Sequence, residues 1–353
     1  MSISTIYEWR LGGDFMSISK GPNAVIKINN YVYLFTDYEV KNNIAYKAEI
    51  KNDDTLSEFK MINLNISTNN QRSSYVYTGK RVYEIGGEKD NTITNSINYF
   101  NVLLDGNLGK QKKSRNFIIP ISRAALCYLN NKIYVIGGQT SNNQLLDTIY
   151  SVELNDNHTI KKMTKEDVTL FEHLCDTTAL VYKKNIYCFG GKNGDYSTNK
   201  CFRVNFDEDD KIKILEQKPL PERLTKPACV ILGEKVYVIG YRKDDTFIRV
   251  TYAAYFDPYG NIDTWVEDLK MPYNVDDLVA VNNNTSFLLI GGVYGNTSER
   301  LVLYPNFNKR SINKDDLDYK KRESIKRQIS LLNVLILLLI LLIILFFIYL
   351  ETI

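Results

Sequence analysis

Histidine is nearly missing from this chain: His158 and His173 are the only two in 353 residues. A metal centre built on several imidazoles is therefore excluded, and no metal or other cofactor is expected. Cysteine is sparse and odd in number (Cys127, Cys175, Cys188, Cys201 and Cys229), with no Cys-x-x-Cys pair. Most of the five sit inside apolar runs, where reduced cysteine acts as a small hydrophobe rather than as part of a disulfide framework. The phosphate loop Gly-x-x-x-x-Gly-Lys-Ser/Thr and the nucleophile elbow Gly-x-Ser-x-Gly are absent, which removes two common catalytic chemistries. An excess of one charge is absent too. Residues 306–353 hold eight Lys/Arg and five Asp/Glu, which accounts for the whole net charge of +3 and leaves residues 1–305 neutral. A neutral body lacks the basic face that phosphate backbones need, so no nucleic-acid partner is expected. The first ten residues lack a basic stretch followed by an apolar core, so no secretory leader is expected.

What the chain does have is a repeat. Lys132-Ile133-Tyr134-Val135-Ile136-Gly137-Gly138 is an apolar run closed by a glycine pair. It recurs as Arg81 to Gly87 and Asn185 to Gly191, more weakly as Lys235 to Tyr241 and Ser286 to Gly292, and without glycines as Tyr31 to Asp37. The central positions 33, 83, 134, 187, 237 and 288 are 50, 51, 53, 50 and 51 residues apart. One such unit would make four short strands, too few to bury both of its faces, so units of this period must pack around an axis.

The third unit shows the strands best. Arg123 to Leu129 reads as strand a, the run to Gly138 as strand b after an Asn130-Asn131 turn, and Asp147 to Leu154 as strand c. Strand d is expected to start near Thr159 with an apolar pair at i and i+3. That pair recurs as Leu56–Phe59, Leu108–Gln111, Ile160–Met163, Ile212–Leu215 and Ile262–Trp265. The sixth unit has no copy after Gly292. Ile6-Tyr7-Glu8-Trp9 has the same spacing and the same terminal Trp, so residues 3–11 are expected to complete the last unit and close the ring.

These Tyr-x-x-Gly-Gly strands at a spacing near 50 resemble Kelch repeats of a six-bladed β-propeller, the superfamily of the galactose-oxidase central domain. The resemblance covers residues 3–305. It implies an all-β, six-bladed Kelch-type propeller over residues 1–305, closed by an N-terminal outer strand. A galactose-oxidase copper site is not implied, because two histidines cannot be supplied as its ligands.

A charged linker is expected over 306–329, and a single transmembrane helix, a tail anchor, over 330–351. Within residues 331–350, eighteen of twenty are Leu, Ile, Val or Phe. As a helix they span about 30 Å, the hydrocarbon thickness, with an insertion gain on the order of 5 to 10 kcal/mol. Lys320, Lys321, Arg322, Lys326 and Arg327 precede the span, and only Glu351-Thr352-Ile353 follows it. Basic flanks stay on the cytoplasmic side. The expectation is a single-pass membrane protein with its propeller facing the cytoplasm.

Counting back fourteen residues from the first glycine of each unit gives Pro22, Arg72, Arg123, Asp176, Lys226 and Asp277. In a propeller this ring starts strand a at the mouth of the central channel. Two readings stand. The charges pair with one another and close the entrance, or Arg72 and Arg123, on adjacent blades, fork a carboxylate. Residues just past the glycines, Glu88, Gln139, Lys192, Arg242 and Tyr294, should reach the same mouth. Glu172, His173 and Glu222 lie in adjoining loops, and His173 beside Glu172 has the composition of an acid/base pair.

Two functions follow as expectations. One is a binding scaffold that takes a cytoplasmic protein or a small acidic ligand on its loop face. The alternative is suggested by similarity in size and blade count to the Kelch-type sialic-acid mutarotases, the N-acetylneuraminate epimerases. It would use Arg72 and Arg123 for the substrate carboxylate, and Glu172, His173 or Glu222 for protons. The many tyrosines sit at repeated strand positions and read as packing.

Overall fold

The computed structural model describes residues 5–12, 16–17, 22–36, 43–51, 55–66, 70–243, 246–272, 278–283, 286–291 and 299–308. Among these no helix is long and apolar enough to cross a membrane. The expected linker and transmembrane helix lie outside the described residues from 309 onward. The chain divides into a unit of Ile6–Asn306 and a second of Met1–Thr5 with Phe307–Ile353. The first is the propeller.

Blades one to five are four-stranded antiparallel sheets ordered a-b-c-d, and blade six carries the same four with a short fifth strand. Blade one holds Pro22–Ile28, Tyr31–Thr36, Asn43–Glu49 and Lys60–Ile66, and blade two holds Ser74–Tyr77, Arg81–Ile85, Ile97–Asn101 and Lys112–Lys113. Blade three holds Ala125–Leu129, Lys132–Ile136, Thr148–Leu154 and Ile160–Thr169, and blade four Thr178–Tyr182, Asn185–Phe189, Cys201–Phe206 and Ile212–Gln217. Blade five holds Ala228–Leu232, Lys235–Lys243, Thr246–Tyr255 and Val266–Glu267. Blade six takes Val279–Asn283, Ser286–Gly291 and Glu299–Asn308 from the C-terminal side and Thr5–Leu11 from the N-terminal side, and Met16–Ser17 pairs with Glu299–Asn308 as the fifth strand.

The apolar pair sits differently from expectation. In blades three, four and six it lies within strand d, the copy in blade six being Ile6–Trp9. In blades one, two and five its first member, Leu56, Leu108 or Ile262, bridges the end of strand c at Ile50, Val102 or Phe256 before strand d begins.

Strand b is apolar at nearly every position because blades cover both of its faces. Tyr33, Tyr83, Tyr134, Tyr187 and Tyr237 are 0–2 % exposed. A buried phenol needs a partner, and for Tyr33, Tyr83 and Tyr187 the next blade provides it. The Tyr33 hydroxyl donates to the Gly106 carbonyl at 2.9 Å, Tyr187 to Gly260 at 2.6 Å, and Tyr83 to His158 at 2.5 Å. Each acceptor lies in a c–d turn at positive φ (80°, 80° and 57°). His158 is thus a turn residue where blades two and five use glycine and blade four uses Asp210, and its Nδ1 lies 2.9 Å from the Thr78 hydroxyl.

The glycine pairs join the opposite ends of the blades. The second glycine donates its N–H to the loop entering the next blade: Gly87 to Ile121 O (2.8 Å), Gly138 to Leu174 O (2.7 Å) and Gly191 to Leu224 O (2.8 Å). A Cβ on the first glycine would lie 1.9 Å from Ile121 O at Gly86 and 2.4 Å from Leu174 O at Gly137. The pair is therefore a docking point for the neighbouring blade, which a side chain would block. Blade five, where Tyr241 replaces the second glycine, instead runs strands b and c on as a long hairpin that pairs as far as Lys243 and Thr246.

The N-terminal strand closes the ring as expected, and its contacts repeat those of blade five. Ile262 N–H donates to the Gln217 side chain (3.0 Å) and the Trp265 indole to Lys218 O (3.0 Å). Ile6 N–H donates to the Asp268 side chain (3.0 Å) and the Trp9 indole to Leu269 O (3.0 Å). Asp268 also faces Lys235 at 3.8 Å, both side chains being under 10 % exposed.

Candidate functional site

Four of the six positions found by counting back from the glycines share one backbone site, as turn residues two positions ahead of strand a in blades two to five; Pro22 instead opens strand a of blade one. Arg72, Arg123, Asp176 and Lys226 all adopt left-handed backbone, at φ 53°, 57°, 51° and 46°. L-residues pay about 1–2 kcal/mol for this conformation. A main-chain relay around the mouth holds it. Arg123 N–H donates to Arg72 O (3.2 Å), Asp176 N–H to Arg123 O (3.0 Å), and Lys226 N–H to Asp176 O (2.8 Å). The residue before each of the first three pairs main chain with the residue after the glycines: Gln71 with Glu88, Ser122 with Gln139, and Cys175 with Lys192. The two sets of residues expected at the mouth are therefore brought together, backbone to backbone.

Their side chains form local pairs rather than one fork. Arg72 Nη1 meets Glu88 at 3.2 Å, with side-chain exposures of 56 % and 18 %. Ser122 Oγ donates to the same Glu88 at 3.1 Å. Arg123 Nε donates to Asp176 at 3.0 Å and its Nη1 to Gln139 at 2.9 Å. Burial pushes the Arg123 guanidinium down, but the hydrogen bonds and charge of Asp176 outweigh it and hold it above its ordinary value. Burial, reinforced by Asp176, raises the Cys175 thiol to about 12, so this cysteine at the mouth is protonated. Each arginine expected to share one ligand carboxylate thus holds a carboxylate of its own chain.

The expected acid/base pair is divided between different partners. Glu172 accepts from Thr198 Oγ1 (2.6 Å) and Asn193 Nδ2 (3.1 Å), which fastens its loop to the b–c loop of blade four. His173 Nε2 faces Asp147 at 3.4 Å and is half-exposed. Lys226 and Glu222 are partly buried in the loop before blade five. Asp277 and Tyr294 lie outside the described residues, as do the side chains of Pro22 and Arg242.

Sequence reasoning missed Ser122 and Asp147 as partners. Asp176 was already on the ring, and its pair with Arg123 joins two of the charges that one of the two readings has pairing with one another.

A ring of six blades, closed by an N-terminal strand and carrying left-handed turn residues at its mouth, defines a β-propeller of the kind built from short glycine-closed repeats. The KLHDC2/KLHL20/DRC7 Kelch-repeats domain matches residues 72–292, more than half of the chain, and the chain belongs to the Kelch-repeat family. It is 28% identical over 120 residues to the Kelch repeat and BTB domain-containing protein 2 of cowpox virus strain GRI-90 / Grishak, covering 33% of this chain and 20% of the relative. The strain Brighton Red protein of the same name is 27% identical over 118 residues, covering 33% and 19%. The chain spans about a fifth of the length of these curated relatives. Among solved structures it is similar to one titled "Structure of YjhT", with a TM-score of 0.63 and 11% identity over 84% of this chain and 95% of the other. At that identity the likeness is one of fold.

Proposed function

We propose that the protein is a membrane-tethered Kelch scaffold that presents its channel mouth to a cytoplasmic protein. The observation that carries this reading is the Arg72–Glu88 pair. The carboxylate is largely buried and fixed by Ser122, while the guanidinium it orients is more than half exposed. An exposed cation held in one direction, on a left-handed turn, supplies charge complementarity without reacting chemistry. The tether rests on residues 331–350, whose length and composition suit a transmembrane helix, and the orientation on the basic residues before them.

The test is proximity labelling from the full chain, comparing the native protein with Arg72→Glu and with the swap Arg72→Glu/Glu88→Arg. The swap keeps the ion pair and inverts the presented charge. Both variants should lose the same neighbours while keeping the native unfolding midpoint; an unchanged set of neighbours means the mouth is the wrong face. Alkaline carbonate extraction tests the anchor, and release of the full chain into the supernatant refutes it. The mutarotase alternative needs ligand stabilisation by N-acetylneuraminate and faster anomer exchange by NMR. The binding-module reading expects neither.

A further inference from the structure

The neutral body conceals a strong local asymmetry. Residues 106–146 contain six Lys/Arg and no Asp or Glu. Four of the cations, Lys110, Lys112, Lys113 and Arg115, fall within six residues, and all four are exposed. None is ion-paired with another described residue. They lie on the outer rim of blade two, where Lys112 and Lys113 pair with Tyr99 and Asn98 of strand c. Gly109 N–H donates to Asn101 O and Ser114 N–H to Ile97 O, so the whole segment follows the blade edge. Four such cations span on the order of 17 Å of extended chain.

Both ends of this basic rim are apolar. The c–d turn before it, tightened by Gly106 N–H to Leu103 O at 2.9 Å, carries Leu103 half-exposed and Leu104 fully exposed. Ile118 follows the rim and is half-exposed. Asp105, the carboxylate of that turn just ahead of the basic segment, caps its own turn through Asn107. Two adjacent leucines on a solvent-facing turn, next to four unpaired cations, have no packing purpose in the blade.

We infer that the outer rim of blade two is a docking surface for an anionic membrane. Lys110, Lys112, Lys113 and Arg115 meet acidic headgroups, and Leu104 enters the headgroup–acyl boundary. Cations beside a short apolar wedge are what such an interface selects. A nucleic-acid site would gain nothing from exposed leucines and would call for aromatic stacking surfaces. The inference is independent of the tail anchor.

The five native cysteines are all buried, so Leu104→Cys places one reactive thiol on the surface for an environment-sensitive fluorophore. The labelled full chain is reconstituted in phosphatidylcholine vesicles with and without phosphatidylserine. A blue shift should appear only with the anionic lipid. Each cation near an anionic surface contributes about fivefold, so Lys112→Glu/Lys113→Glu should cut the docked-to-free ratio by at least about 25-fold at an unchanged unfolding midpoint. Equal emission in both lipids overturns the inference, as does a blue shift that survives the charge reversal. Tighter, charge-dependent binding of a labelled single-stranded oligonucleotide to the same rim overturns it in favour of nucleic acid. Tail insertion is read separately by carbonate resistance, so the two readings fail in different assays.

Discussion

If Thr5–Leu11 is a full member of blade six, Ile6→Ala must cost as much as its counterpart Ile262→Ala. The two isoleucines are 4 % and 6 % exposed. Each gives its N–H to a side chain of the preceding blade, and each lies three residues before a tryptophan bonded to the next main-chain carbonyl. Truncating a buried isoleucine to alanine costs about 2–4 kcal/mol, and matched burial should keep the two values within about 1 kcal/mol. The chain has two tryptophans, one at each of these sites. Trp265→Phe leaves Trp9 as the reporter of the closure, and Trp9→Phe leaves Trp265 as the reporter of blade five. Urea unfolding of the full chain, followed by fluorescence in each background, should give one coincident transition that both alanine variants shift equally. The reasoning fails if Ile6→Ala costs less than about 0.5 kcal/mol while Ile262→Ala costs the amount expected for a buried side chain. It fails equally if the Trp9 signal is lost at lower urea than the Trp265 signal, since the terminal strand would then be a fraying appendage.

Two further predictions concern the joints between blades. Gly137→Ala should destabilise by about 3 kcal/mol or more, because left-handed strain adds to a Cβ driven against a carbonyl. Gly233→Ala, at nearly the same φ (61°) but with no atom within 4 Å of its Cβ, should cost only about 1–2 kcal/mol by urea denaturation. Burial, with Lys80 and Arg81, lowers the pKa of His158 below its unfolded value of 6.5. The unfolded chain therefore binds the proton more readily, and the stability present above 6.5 is lost as pH falls through the folded pKa. His158→Asn, which tolerates the same left-handed turn, should flatten this acidic limb in urea midpoints measured from neutral pH downward; an unchanged slope would dismiss His158 as its source.

The architecture was legible because its signal is a period, and a period survives the loss of individual residues. The copy that begins at Tyr31 has no glycine, yet Tyr31–Thr36 is strand b of blade one at the expected spacing. The closing strand was legible for the same reason, since Ile6 and Trp9 repeat the spacing of Ile262 and Trp265. What the glycines do was not legible. In the sequence they only close an apolar run, whereas their partners are the carbonyls of Ile121, Leu174 and Leu224, more than 30 residues further along the chain. The tyrosine hydroxyls depend in the same way on turns about 75 residues away.

The mouth shows why position and chemistry separate. Arg, Arg, Asp and Lys occupy one backbone site in four successive blades, with φ between 46° and 57°. A left-handed turn would ordinarily favour glycine or asparagine. Here the main-chain relay from Arg72 through Arg123 and Asp176 to Lys226 fixes the conformation whatever side chain is attached. The side chains are thereby released from the task of shaping the ring. Counting from the glycines can locate them, but their charges obey no repeat. Whether an arginine stays available to a partner is decided by the neighbour it meets: Glu88, on its own blade, leaves Arg72 exposed, while Asp176, on the next blade, covers most of Arg123. That difference in exposure, invisible in a list of ring residues, is why the proposed partner contact is assigned to Arg72 rather than to Arg123.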